Sequence, residues 1–198
     1  MTPLPAVVLA AGGSTRFGGG VKQLAAFDGE TLVHRTARTA LEAGLSPVLV
    51  VVGCAREAVA AAVSDLACAT VPNPKWQAGQ STSVKAGLAA LPSDADGVAF
   101  VPCDQPLLDT QTLRRLVAAF RDTGASAVVP VFEDRRGSPV VLSRDLFPDV
   151  AGITGDEGAR QILARHRDRI VTVELDREDP LIDVDTPEDF ERLAGPGQ

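Results

Sequence analysis

The sequence contains no tyrosine, one tryptophan and only 4% aromatic residues. Single-stranded nucleic acid is commonly held by flat side chains on which successive bases stack, and that platform is missing. There is no lysine- or arginine-rich block either, and the formal net charge is −7, the opposite of what a phosphate-tracking groove needs. Polymeric nucleic acid is not an expected partner. Cysteine is sparse: Cys54, Cys68 and Cys103 are odd in number and show no C-x-x-C spacing, and only His34 and His166 could add imidazoles, which argues against a structural zinc site. The apolar run at residues 4–11 has no cation before it and is far shorter than the roughly 18 residues of a membrane span. It reads as a buried strand in a cytoplasmic protein with no membrane partner. Internal repeats, low-complexity tracts and long linkers are absent.

Hydrophobic residues make up 45% of the 198 positions, and they are mainly Ala, Val and Leu. That is enough for one sizeable core of small helices packed on buried strands, so one domain over 1–198 is expected. Strand-like apolar runs occur at 6–10, 48–52, 69–72, 98–102 and 127–131, and amphipathic stretches separate several of them. The alternation predicts an α/β fold: a single doubly wound, mostly parallel sheet flanked by helices. The spacing of Leu113, Leu116, Val117 and Phe120 predicts a helix over 111–122, and 83–91 reads as another. At Thr186-Pro187-Glu188-Asp189 a capping hydroxyl, a first-turn proline and a carboxylate predict a last helix. Residues 131–142 have a polar, glycine-containing middle flanked by β-branched residues, which predicts a hairpin at one sheet edge.

The first strand runs into LAAGGSTRFGGGVKQL, residues 9–24, where Gly12, Gly13, Gly18, Gly19 and Gly20 surround Ser14, Thr15 and Arg16. Glycine lets backbone N–H groups come close to a ligand. Before Asp28 the only charged side chains are Arg16 and Lys22, so in an acidic chain this loop is a cationic island suited to a polyphosphate. Neither the Walker A nor the dinucleotide fingerprint is matched, since no Gly-Lys-Ser/Thr occurs and Gln23 stands where the latter needs glycine. Further on, Pro102-Cys103-Asp104-Gln105-Pro106 puts a carboxylate at the carboxyl end of a strand, where parallel sheets bind ligands. Mg²⁺ takes one or two protein carboxylates and fills its remaining positions with water and phosphate oxygens. Asp104 is the first candidate; Asp185 is favoured over Asp183 as the second. Asp104 as a turn-former and Asp185 as a cap are the competing readings.

The glycine-rich loop resembles the LAAGxSxRxG…K opening of nucleotidyltransferases that act on molybdenum cofactor and sugar-phosphate-type substrates. CDQPLL at 103–108 resembles their metal-binding turn, DVDTPED at 183–189 their C-terminal metal motif, and residues 73–83 their N-x-x-W-x-x-G-x-S-x-S segment. With GDEGAR at 155–160, the whole looks like a molybdenum cofactor cytidylyltransferase, although relatives often carry His or Asn at Ser138 and Lys at Glu157. The resemblance implies a Rossmann-like nucleotide-diphospho-sugar transferase fold. It also implies nucleotide contacts from Leu9, Ala10, Ala11, Gly12, Gly13 and Ser14, with Arg16 and Lys22 neutralising phosphates. Gly79, Ser81 and Ser83 would meet the base and ribose, although Ser81 and Ser83 could equally be helix caps. Gln105 and Arg160 would face the acceptor, with a solvated arginine at a helix start as the alternative for Arg160.

The implied reaction is Mg²⁺-dependent attack of an acceptor phosphate on the α-phosphorus of a nucleoside triphosphate. Leu9-Ala10-Ala11-Gly12, rather than a LAGG sequence, points to CTP. Molybdenum cofactor is the implied acceptor, with a molybdenum hydroxylase as a recipient. Guanylyl transfer, or cytidylyl transfer to a sugar phosphate or methylerythritol phosphate, stays open within the same fold. A non-catalytic pterin carrier is the alternative of another class.

Overall fold

The computed structural model describes residues 2–14, 17, 18, 20–156 and 158–194, with 159–161 and 194 described by their backbone alone. Strands β1 (Ala6–Ala10), β4 (Val48–Val52), β5 (Cys68–Pro72), β6 (Gly97–Pro102), β7 (Ala127–Phe132), β8 (Arg135–Arg136), β9 (Val140–Ser143) and β10 (Ile170–Glu174) form one sheet, and β2 (Ala26–Phe27) with β3 (Glu30–Thr31) a small hairpin. The main sheet runs in the order β10-β7-β9-β6-β1-β4-β5, with β8 paired to β7. Pairings β1–β4, β1–β6, β4–β5 and β7–β10 are parallel. The sequence VLVVV of β4 is buried along its length, as a strand covered on both faces requires.

Side chains alternate across the sheet with the two-residue period of a strand. Ala6, Val8 and Ala10 join Val33, Leu113 and Leu116 on one face, whereas Val7, Leu49 and Val51 join Val84, Ile153 and Ile162 on the other. The first layer is closed by α1 (Leu32–Glu42) and α4 (Thr110–Thr123). Asp109 Oδ1 caps α4 by accepting from Thr112 N at 2.7 Å, and Gly124 ends it in the left-handed conformation, with φ 62°. The second layer contains α3 (Gln80–Ala89), α5 (Phe147–Val150) and α6 (Ala159–Arg165). A short α2 (Arg56–Ala61) follows β4, and α7 (Pro187–Ala194) ends the described chain. Thr186 caps α7 as expected: its Oγ1 accepts from Asp189 N, and Asp189 Oδ2 accepts from Thr186 N, both at 3.1 Å. No helix among the described residues is long and apolar enough to cross a membrane.

Two expectations need correction. The helix anticipated at 83–91 starts at Gln80 and ends at Ala89, so Ser81 and Ser83 lie inside it and are not its caps. The reason is Gly79, whose φ of 103° turns the chain sharply enough for the helix to begin at once. The hairpin expected at a sheet edge is short, pairing Phe132 with Arg135 and Val131 with Arg136. Beyond it the chain returns as β9 into the middle of the sheet, antiparallel to both β6 and β7. Val140, Val141 and Leu142 are all buried there, and burial on both faces is what an apolar run of this kind demands. The edge beside β7 is instead taken by β10.

Candidate active site

The chain leaves the carboxyl ends of β1, β5 and β6 into three loops, and these meet the segment around residues 183–185. Two clefts share the space above them. The smaller, about 360 Å³, is lined by Gly12, Gly13, Ser14, Lys22, Gly79 and Ser83 among others. The larger, about 680 Å³, opens toward Ser138, Thr154, Gly155, Gly158 and Asp183. Leu9, Gln80, Asp104, Asp156 and Asp185 belong to the walls of both, so the clefts adjoin at the two aspartates singled out as metal candidates.

Glycines alone do not fix a loop, and polar side chains do so here. Buried Gln23 donates from Nε2 to Gly12 O at 2.8 Å and accepts from Ser14 Oγ at 3.1 Å. Ser14 Oγ in turn accepts from Lys22 N at 2.9 Å. Gly12, Gly13, Ser14 and Ala11 border the smaller cleft, and Leu9 borders both. Ala10 is fully buried in the core, which leaves only its backbone to approach a ligand. Arg16 lies outside the described residues, as do Glu157 and the side chain of Arg160.

On the opposite wall, buried Asn73 organises the segment that follows β5. Its Nδ2 donates to Thr82 Oγ1 at 2.8 Å and to Ser83 Oγ at 3.0 Å, and its Oδ1 accepts from Lys75 N at 3.0 Å. Ser83 therefore reaches the smaller cleft with its hydroxyl already engaged. Ser81 is 2% exposed and lines neither cleft; its N donates to Gly155 O at 3.0 Å. Gly79 cannot carry a side chain: a Cβ there would stand 2.2 Å from Gly155 C. The two loops thus touch backbone to backbone.

At the junction of the clefts, Lys22 Nζ donates to Asp104 Oδ2 at 2.9 Å and to Asp185 Oδ1 at 3.2 Å. Burial works against the charge on Lys22, but the Asp104 carboxylate and the hydrogen bonds that the ammonium donates to both aspartates outweigh it and hold the pKa above the ordinary lysine value. Asp104 and Asp185 therefore already share one cation. Two hard oxygen donors facing open volume also suit a divalent ion that completes its shell with water and phosphate oxygens; among the described residues no group of three or more His, Cys, Asp or Glu could hold a metal. Val184 N donates to Asp104 O at 2.8 Å, locking the C-terminal motif to the turn after β6. Cys103 is no nucleophile here, because burial and the neighbouring Asp104 push its thiol up to about 12.

Gln105 is 3% exposed and lines neither cleft. It donates from Nε2 to Asp183 Oδ1 at 3.0 Å, so it reaches the larger cleft only through Asp183. Behind this turn, Arg35 Nε donates to Pro106 O at 2.6 Å and ties α1 to the Asp104 loop. Gln23, Asn73 and Arg35 are supports to which the sequence alone assigns no role, although Gln23 lies inside the glycine-rich string and Asn73 opens the segment 73–83; Arg35 lies outside every motif.

The family described as MobA-like NTP transferase domain matches residues 6–170. The chain is 34% identical to nicotine blue oxidoreductase of Paenarthrobacter nicotinovorans, over 97% of this chain and 98% of that protein. It is 32% identical to the purine catabolism protein PucB of Bacillus subtilis (strain 168), with 94% of each covered. Among solved structures, Rv0371c of Mycobacterium tuberculosis H37Rv superposes with a TM-score of 0.83 at 32% identity, covering 98% of both chains. A second structure of Rv0371c, in complex with manganese, gives a TM-score of 0.78 at 29% identity, again over 98% of both.

Proposed function

This chain belongs to the MobA-like NTP transferase domain family, and on that premise we propose that it is a single-domain molybdenum cofactor cytidylyltransferase, moving CMP from CTP to the phosphate of the cofactor. The observation that carries this reading is the junction of two clefts at Lys22, Asp104 and Asp185. One cleft is walled by the glycine-rich loop and suits the triphosphate, and the other suits the acceptor. The reactive phosphorus would sit where they meet.

An acceptor phosphate oxygen forms a bond to the α-phosphorus of CTP while the bond to the bridging oxygen of the β-phosphate breaks, and pyrophosphate leaves. No covalent enzyme intermediate is needed, in keeping with the protonated, buried Cys103 thiol. The backbone of residues 12–14 and the Lys22 ammonium cradle the phosphates and neutralise the departing charge. Arg16 is the second cation of this role. Asp104 and Asp185 would hold Mg²⁺, which when bound offsets charge on the triphosphate; that Rv0371c has been solved in complex with manganese supports dependence on a divalent ion. Gly79 and Ser83 would border the nucleotide, with Ser81 acting from behind through Gly155. Gln105, through Asp183, and Arg160 belong to the acceptor side.

A second reading rests on the oxidoreductase name of one relative, since one fold can host unrelated chemistries. Such an enzyme would oxidise or reduce its substrate and release no pyrophosphate. The test is mass spectrometry of the pterin product, with pyrophosphate release, after incubation with Mg²⁺, molybdenum cofactor and either CTP or GTP, beside an Asp104→Asn control. A cytidylylated product formed only with CTP and lost in the control is expected. Turnover with GTP would reassign the base; pyrophosphate from neither would reject nucleotidyl transfer to this acceptor and favour a redox or carrier role.

A further inference from the structure

Trp76 has no part in the proposed chemistry, yet its indole packs against two glycines of the site. A Cβ on Gly13 would lie 2.7 Å from Trp76 Cζ3 and 3.1 Å from Cη2. A Cβ on Gly53 would lie 2.7 Å from both Trp76 Cβ and Cγ. The outer edge of the ring is therefore pressed against the glycine-rich loop, while its root is pressed against the chain leaving β4. Gly53 is itself linked to that loop through Cys54 N, which donates to Ala11 O at 3.1 Å.

The ring has two further neighbours. It forms part of the wall of the smaller cleft and part of the wall of a separate recess of about 260 Å³ lined by Val52, Gly53, Arg56, Pro72, Asn73 and Pro74. Its own backbone belongs to the segment organised by Asn73, with Trp76 O accepting from Gly79 N at 3.2 Å. Gln23 grips residues 12–14 by hydrogen bonds, and the indole meets the same stretch at Gly13 with a rigid apolar edge. Rigidity matters because a loop without side chains has no packing of its own, and displacement by about 1 Å can slow a reaction by about a hundredfold.

We propose that Trp76 is a positioning residue: it keys the phosphate loop at Gly13 to the segment 73–83 and so sets the spacing between the triphosphate and nucleoside halves of the cleft. The inference rests on the reading of residues 12–14 as the phosphate loop. Glycine at 13 is then required by the indole, and glycine at 53 by Trp76 together with Ala11 O, 2.7 Å from a Cβ there, beyond any need of the ligand.

Because Trp76 is the only tryptophan and tyrosine is absent, the protein's intrinsic emission comes from this one ring. The wild-type protein is titrated with Mg²⁺-pyrophosphate, which has phosphates but no base, while calorimetry measures binding independently. An emission change that saturates with the calorimetric affinity is expected. In steady state, Trp76→Ala should raise the KM for the nucleotide by about tenfold or more, leave the KM for the acceptor within about twofold, and be largely rescued by Trp76→Phe. Gly13→Ala, which pushes on the same contact from the other side, should raise the nucleotide KM similarly.

Pyrophosphate that binds by calorimetry without altering emission would overturn the inference, as would a nucleotide KM that stays normal in Trp76→Ala or rises no more than the acceptor KM. If pyrophosphate does not bind at all, the phosphate-loop assignment itself fails and takes this inference with it. Should Trp76→Ala not fold, the wild-type titration together with Trp76→Phe and Gly13→Ala decides the matter: a normal nucleotide KM in Gly13→Ala counts against it.

Discussion

At Lys22 a single ammonium holds two carboxylates, Asp104 and Asp185, that would otherwise repel each other across the cleft junction. On the proposed assignment this cation must serve phosphates during turnover, while the aspartates serve a divalent ion. Lys22→Met separates those duties. Removing the ammonium takes one positive charge from between the two carboxylates, so divalent cations should bind them more tightly when no nucleotide is present. Electron paramagnetic resonance of added Mn²⁺ is expected to show more bound metal in Lys22→Met than in the wild type, while turnover falls by roughly 100-fold because a charge-stabilising donor is lost. Unchanged or weaker Mn²⁺ binding would sink the assignment of the aspartate pair. The charged residues of this site were legible in the sequence because charge is conspicuous: Lys22 and Arg16 are the only cations before Asp28, and both aspartates sit in motif strings. The supporting roles of Gln23 and Asn73 were not, even though Asn73 opens a motif, since an uncharged amide bonded to a backbone carbonyl or a hydroxyl leaves no mark on composition or periodicity.

Among the elements, α3 and β1 show how a helix can be drawn close to the sheet. Gly87 faces fully buried Val7, and a Cβ there would stand 2.3 Å from Val7 Cγ1 and 3.0 Å from Cγ2. Two effects compete in Gly87→Ala. Alanine improves helix propensity by about 1 kcal/mol, whereas overpacking a buried contact costs about 1–3 kcal/mol. The contact wins, because Val7 is a short branched side chain on a central strand and has no flexible end to move. Calorimetry should find the variant less stable, with Tm lower by about 2–4 °C per kcal/mol lost; a Tm equal to or above the wild type would show that the helix can lift off without penalty. The strands named from sequence agree with the structure to within a residue at either end; β1, β4, β6 and β7 are buried apolar runs, whereas β5 is an edge strand with no buried residue. The start of α3 was misplaced because the polar QSTS stretch looked like a cap and the left-handed turn at Gly79 was not anticipated. The position of β9 between β6 and β7 depends on pairing partners distant in the chain, which no local pattern reports.

Across the whole molecule, the candidate site is assembled from segments near residues 12–23, 73–83, 104 and 183–185, and the sheet brings them together beyond the carboxyl ends of its strands. The alternation of strands and helices made that architecture legible in advance. Which apolar run occupies which slot in the sheet was not, as the unforeseen edge strand β10 shows. On the proposed assignment a chain with net charge −7 binds phosphates through Lys22, the backbone of residues 12–14 and a divalent ion, so the overall charge predicts neither affinity nor site. A ligand that bridges the four segments should stabilise the entire fold by mass action. At a free concentration about 100 times its Kd, a nucleotide that binds only the native state adds about 2.7 kcal/mol, which for a chain of this size raises Tm by about 5–10 °C. Thermal unfolding with CTP and with GTP, each with and without Mg²⁺, is expected to show such a rise with CTP and Mg²⁺ together. It should be smaller with either alone, and Asp104→Asn should abolish the Mg²⁺-dependent part. A larger rise with GTP would overturn the choice of base while leaving the cleft intact. No rise with any nucleotide would show that these four segments do not close on a triphosphate at all.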